Sequence, residues 1–369
     1  MGGVPADPAG FEKAVNLKKE DEKMRKTAVW FSVMIGLFLV ISGWGLVPHL
    51  NAAPIEIKLG HVDPADVCIS KKGAAGATFK GLVEGGSGGN VNVKVFPASQ
   101  LGNERELIEG VKIGTIQMAF VSGAIAGFYK PAQVLDIPYL FASGPVAWKV
   151  MDGWFGKEMA ADILKQTGMR VLAYGETGFR NFTNSRGPIK SPADMKGLKI
   201  RVMETPVYVN MVKALGASPT PIAWSETYTA LQQKVVDGQE NPVATIMQAK
   251  LYEVQKYMIL DGHSYGCDFF LVNDKFYQGL PKETQELLKT SAYTAAVVGR
   301  GIQTLNSATG ISEVQTKGMQ VYAPTASERA QFKAATQKPV RDYVESQIGK
   351  TWIDKLMKAV SEAEAELAK

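Results

Sequence analysis

Among 369 residues there are only two cysteines and three histidines, and no stretch dense in lysine and arginine. Each shortage excludes something. Cys68 and Cys267 lie far apart, and neither belongs to a CxxC or Cys/His spacing, so no zinc site is expected. They read as two buried thiols in preference to a single disulfide. His49, His61 and His263 fit no metal or triad spacing, so neither a metal nor a catalytic histidine is predicted. The formal net charge of +5 is spread thinly, which argues against a nucleic-acid partner, since that calls for a concentrated basic face. No GxGxxG opens a helix after a strand and no GxxxxGK[ST] occurs, so a nucleotide cofactor has no support. Gly85 to Gly89 formally matches GxSxG, but it follows a helical segment and precedes a strand, the inverse of a nucleophile elbow, and reads as a helix stop.

What is present is ordinary globular material, 46% hydrophobic and 21% charged, in a chain long enough for two domains. One long apolar run stands apart. Residues Ala28 to Val47 carry no charge, Arg25 and Lys26 precede them, and Asn51-Ala52-Ala53 follows. The pattern predicts a secretory signal over residues 1–53, cleaved near Ala52 or Ala53, with an uncleaved anchor as the alternative. Residues 1–23 are unlike the start of a signal, which makes Met24 a candidate initiator. The body of the protein is then exported, to the periplasm in a bacterium.

From Pro54 onward the periodicity alternates between strand and helix. Ile55, Ile57 and Leu59 mark a strand, Lys71 to Glu84 a helix, Val91 to Val95 a strand, and Glu104 to Ile113 a helix capped by Asn103. Ile116 to Val121 is an apolar strand, Pro145 to Thr167 reads as one helix, and Met169 to Ala173 as a strand. A second unit follows, with a strand at Lys199 to Met203, a helix at Thr205 to Leu215, and a helix capped by Ser225 in which Tyr228, Leu231 and Val235 share a face. Phe269 to Val272 is a strand, Lys282 to about Lys317 a long helix, and Ala326 to Lys369 is helical. This order predicts an α/β fold with a largely parallel sheet. With neither repeats nor a low-complexity linker, the domains are expected to share strands and connections.

One stretch, Gly178 to Pro242, gathers the candidate chemistry. A guanidinium is a permanently charged planar fork that matches a carboxylate with two parallel hydrogen bonds. Arg180 and Arg201 flank a strand-and-turn region that ends on Asp237-Gly238-Gln239-Glu240-Asn241-Pro242, so an amide joins two forks. His263 is a candidate pocket residue or a structural one. The residues alone leave carboxylate binding and surface ion pairing evenly matched.

The same stretch resembles the substrate-binding subunits of TRAP transporters, the DctP-like extracytoplasmic solute receptors. The matching pieces are Gly178-Phe179-Arg180, Ser191 to Val202, Leu215 to Pro221, Ser225 to Gln232 and Val236 to Pro242. Gln100 to Gly102, Val134 to Phe141 and Tyr252 to Tyr257 add to them, and the likeness covers roughly residues 55 to 345. It implies a two-domain periplasmic binding protein fold with a hinge and a long helix spanning both domains, domain I being 54–177 with 268–306 and domain II 178–267 with 307–369. It further implies that Arg201 makes the main bidentate contact to a ligand carboxylate, with Arg180 and Asn241 assisting and Trp224 as an aromatic wall. Glu104 matches an acidic ligand contact of sialic-acid-binding members, but Ser122 stands where those have glutamate, which speaks against sialic acid. Val62 and the segment Gly102 to Glu104 would form a variable wall. Glu104 and Glu204, acceptors when ionised, suit a ligand carrying hydroxyl or amino donors, although Glu204 pointing to solvent is the competing reading. The implied partners are a small organic acid (C4-dicarboxylate, hydroxy-acid or sugar acid) and the small and large membrane subunits of a TRAP permease, the receptor being a monomer without a cofactor. A sensory receptor for the same ligands, or an exported enzyme acting on carboxylates, are the alternatives; the enzyme would need an acid/base pair near Arg201, and none stands out.

Overall fold

The computed structural model describes residue 2, residues 18–30, residue 32 and residues 54–369. Residues 18–30 are helical and exposed. No helix among the described residues is long and apolar enough to cross a membrane. Most of the apolar run 28–47, and the expected cleavage position, lie outside the described residues. Pro54–Lys369 forms one compact unit.

That unit opens with β1 (Ile55–His61), α1 (Lys71–Gly86), β2 (Val91–Phe96), α2 (Glu104–Ile113) and β3 (Met118–Val121). The alternation in β1 buries Ile57 and Leu59 and leaves Glu56 and Lys58 outside. Ser70 caps α1 by accepting from the Gly73 N–H, and Asn103 forms a capping box with Glu106 at the start of α2. β2, β1 and β3 pair in parallel. Helices α3 (Gly144–Asp152) and α4 (Trp154–Thr167) then lead into the 16-residue β4 (Met169–Asn184). The single helix expected over residues 145–167 is therefore two, broken at Gly153, which sits with extended backbone as C-cap of one and N-cap of the next. Val134–Asp136 completes a 3-10 turn begun at Lys130.

A second parallel unit follows: β5 (Lys199–Val202), α5 (Pro206–Ala214), β6 (Ser218–Pro221), α6 (Trp224–Gln232) and β7 (Gly238–Asn241). Ser225 does not cap α6; Ala223 does, and Val235 lies beyond the helix end, half exposed. After the short α7 (Val243–Gln248) and β8 (Tyr257–Ile259) comes β9 (Ser264–Asn273), buried along its whole length.

β4 and β9 join the two units. Met169 to Arg180 of β4 pair antiparallel with β9, while Asn181 to Asn184 pair with β7. The strand order is β2-β1-β3-β9-β4-β7-β5-β6, so the expected parallel sheet is interrupted by an antiparallel centre. The chain after β9 runs through α8 (Asp274–Gln278), the 35-residue α9 (Lys282–Thr316), β10 (Gln320–Tyr322), α10 (Ala326–Ile348) and α11 (Thr351–Leu367). Gly349, at φ 73°, separates α10 from α11, so the C-terminal third is two helices and not one.

At 1.5 Å per residue α9 spans about 50 Å. Small residues let it approach both units: Gly299 lies against Lys71 and Ala75 of α1, and Gly310 against Val243 and Met247 of α7. The cores follow the same division. One face of the first unit buries Ile57, Leu59, Phe79 and Phe270 under the alanines of α9. A second cluster gathers Leu231, Ile246, Met258 and Val314, and the largest runs from Leu107 through Phe269 to Val360. Both cysteines are free; Cys267 is buried as expected, whereas Cys68, in the loop between β1 and α1, is exposed and corrects the expectation of a buried thiol there.

Candidate functional site

The two units face each other across a cavity of about 60 Å³, lined by residues of both. Its second-unit wall is built on β5. Flanking Ile200 and Val202 are fully buried between β6, β7 and the helices, which turns Arg201 into the cavity. Arg201 is 2% exposed. Its Nε and Nη2 both donate to the Ile222 carbonyl, at 3.0 and 2.7 Å, while Nη1 is buried without a partner. No acidic side chain among the described residues lies within salt-bridge distance of this guanidinium. Burial lowers its pKa to about 10, still well above neutrality. The Trp224 ring lies 5.8 Å away. A buried cation without a counter-ion is costly, and this one lines a cavity with one nitrogen unpartnered.

Arg180 also lines the cavity but is already engaged. Its Nε and Nη2 grip the Glu240 carboxylate from two sides, and Nη2 donates to the Glu240 carbonyl at 2.7 Å. Glu240 meets His263 Nε2 at 3.3 Å, and His263 Nδ1 meets Asp261 at 2.9 Å while its ring stacks on Phe182 at 4.2 Å. His263 is thus not a cavity residue, correcting its candidacy as a ligand contact: the pairing of Arg180 with Ser264 places it behind the clamp. Burial opposes its charging, yet Asp261 and then Glu240 outweigh that and raise its pKa to about 9. Burial likewise opposes the Glu240 charge, and Arg180 overrides it, holding that carboxyl down to about 2. The chain Asp261–His263–Glu240–Arg180 therefore orients Arg180. Asn241 lines the cavity beside it and donates to Gln239 Oε1 at 2.6 Å.

The first-unit wall comes from the ends of β1 and β3 and from the starts of α1 and α2. Val62, Glu104 and Ser122 line it as expected. Glu104, however, is held by protein groups: Lys72 Nζ at 2.8 Å, the Ser122 N–H at 2.9 Å and the Ser122 hydroxyl at 2.8 Å. Glu204 borders the cavity and is exposed, so both readings of it hold in part. Residues that sequence reasoning missed complete this wall. Lys71 pairs with Asp63 at 3.1 Å, and burial of that carboxyl is outweighed by Lys71, which holds it far below its ordinary value. Lys72 also lies 3.7 Å from Asp268, which accepts from Thr177 at 2.6 Å. A signal did exist: two lysines in the first turn of a helix oppose its dipole, and α1 has no acidic residue there.

Apart from Arg201, every cation on the cavity wall has a carboxylate partner: Lys71 has Asp63, Lys72 has Glu104, and Arg180 has Glu240. The arrangement suits one incoming anion at Arg201 and polar groups opposite it.

Residues 60–347 match the bacterial extracellular solute-binding proteins of family 7, DctP. The chain is 37% identical over 269 residues to the 2,3-diketo-L-gulonate-binding periplasmic protein of Escherichia coli, covering 73% of this chain and 81% of that protein. Its structure is similar to the sugar acid binding protein of Advenella mimigardefordensis in complex with galactonate, with a TM-score of 0.80, 33% identity, and coverage of 84% of this chain and 99% of that one. A TRAP periplasmic solute-binding protein of Polaromonas sp. JS666 bound to D-erythronate superimposes with a TM-score of 0.78, at 34% identity, over 82% and 98% of the two chains. On its fold, its cavity and these matches, the chain belongs to family 7 of the bacterial extracellular solute-binding proteins, the two-domain DctP-type receptors of TRAP systems.

Proposed function

We propose that this receptor captures a small organic anion of the C4-dicarboxylate, hydroxy-acid or sugar-acid class by its carboxylate, and delivers it to the small and large membrane subunits of a TRAP permease. The observation that carries the reading is Arg201: buried, without a counter-ion, one nitrogen unpartnered, and facing the cavity. In a site shielded from water, a bidentate carboxylate there is worth far more than a surface ion pair. Asn241 and the Glu240-braced Arg180 flank the same anion, and Trp224 covers it. The two domains, 54–177 with 268–306 and 178–267 with 307–369, close over the ligand about β4 and β9, and the closed surface is what the permease recognises. The receptor acts as an exported monomer freed from a signal ending near Ala52 or Ala53. Binding without catalysis is favoured because the wall carboxylates Asp63 and Glu104 are each engaged with a lysine. Thermal shift against a panel of organic acids tests the proposal, with Arg201→Ala as control. A hit should stabilise the native protein and not the variant; equal stabilisation of both would refute the clamp.

A further inference from the structure

The two walls of the cavity differ in charge balance. Opposite the uncompensated Arg201, the first-unit wall places two ammonium groups, Lys71 and Lys72, against two carboxylates, Asp63 and Glu104, with the fully buried Asp268 off the lining and 3.7 Å from Lys72. Glu104 takes Lys72 at 2.8 Å and both donors of Ser122, so Lys72 is held by protein before any ligand arrives. Hydrogen-bonding capacity nevertheless remains, and it is of both kinds. Each ammonium has three protons, of which only some are used here, and Glu104 Oε2 accepts a single bond, from Ser122, at 2.8 Å. The Thr245 hydroxyl, on the cavity wall and buried, has no partner. A ligand hydroxyl, donor and acceptor at once, matches such a wall. A second ligand carboxylate, acceptor only, would meet a surface whose amines are each already paired with a carboxylate, with no free cation to neutralise it.

Resting on Arg201 as the carboxylate anchor, we infer that the site selects a polyhydroxylated monocarboxylate over the dicarboxylate of equal length, with Glu104 as the specificity-determining residue. Glu104 acts twice. It keeps Lys72 from serving a second carboxylate, and it offers an acceptor to hydroxyl protons. The discrimination is a penalty on the wrong ligand as much as a gain for the right one.

Two matched pairs test this by titration calorimetry on the intact receptor: D-erythronate against meso-tartrate, and galactonate against galactarate. Within each pair a terminal CH₂OH is replaced by a carboxylate and the carbon skeleton is kept. The monocarboxylate should bind more tightly by at least about tenfold, and Glu104→Gln should shrink that ratio by about tenfold by releasing Lys72 to the diacid. A diacid bound as tightly as its partner, or more so, overturns the inference and leaves the Arg201 anchor standing. An unchanged ratio in a Glu104→Gln protein that melts cooperatively overturns the role of Glu104. If that variant does not fold, the native ratios alone decide the selection. Failure of all four acids while another acid binds overturns the inference; failure of every organic acid overturns the anchor itself.

Discussion

A guanidinium held in a cavity without a carboxylate makes a specific demand on whatever enters. Arg201 is fixed by two bonds to the Ile222 carbonyl, so its position does not depend on the ligand. Lysine keeps the charge but has no planar fork. Arg201→Lys is therefore expected to lose about 10- to 100-fold in affinity, with the melting temperature of the unliganded protein little changed; calorimetry and thermal denaturation read the two effects separately. Behind the clamp, the pKa shifts of His263 and Glu240 dictate a pH dependence of stability. His263 is raised from 6.5 to about 9, so its contribution is complete below about pH 6.5 and is lost as pH rises through about 9. Glu240 is lowered from 4.5 to about 2, so its contribution is present above about pH 4.5 and is lost as pH falls through about 2. The buried acids Asp136 and Glu176, each pushed up to about 7 by burial, titrate between these limits. Melting temperature should thus fall from about pH 7.5 to about 9.5, and His263→Gln should flatten that fall. A parallel decline in the variant would contradict the assignment.

At the scale of elements, β4 and β9 join the two units, and β4 contains an irregularity between Glu176 and Gly178. Gly178 has φ 99°, and a Cβ there would meet Gln303 Nε2 of α9 at 2.9 Å. Gly178→Val is expected to destabilise by about 1–3 kcal/mol, from backbone strain and the displaced α9 contact; a melting temperature equal to the native protein would show that the bulge is not constrained. How much of this was legible beforehand differs from element to element. Arg201 and Asn241 could be singled out because one stretch holds them in strand-and-turn contexts, whereas Trp224 entered through the family resemblance alone. The long α9 could be read from the absence of proline between Lys282 and Thr316. Lys71 and Lys72 left a signal, two cations opposing the dipole of one helix start, but their meeting with Asp63 and Asp268 could not be read, because it depends on β1, β3 and β9 lying side by side. For His263 the pocket and structural readings stayed open, because only the β4–β9 register shows which way the chain before β9 turns. The break at Gly153 and the stop at Gly349 were missed, since a lone glycine in a helical pattern is often tolerated. Glu104 entered through the resemblance, but Lys72, which holds it, did not.

For the whole molecule, both units supply a wall of the cavity, and the proposed closure would link that cavity to its ligand. A ligand at 100 times its Kd should stabilise the native state by about 2.7 kcal/mol, read as a rise in melting temperature. Small-angle scattering should show a smaller radius of gyration with ligand than without; identical curves would mean that the domains do not close on binding. The most direct test of the account is a pair of calorimetric titrations of one acid identified by the panel, into the native receptor and into Arg201→Ala. Loss of two charge-assisted hydrogen bonds, at about 1.5–3 kcal/mol each, predicts affinity weakened by at least about 100-fold in a variant that still folds. A folded Arg201→Ala that binds the acid with native affinity would contradict the assignment of Arg201 as the carboxylate clamp.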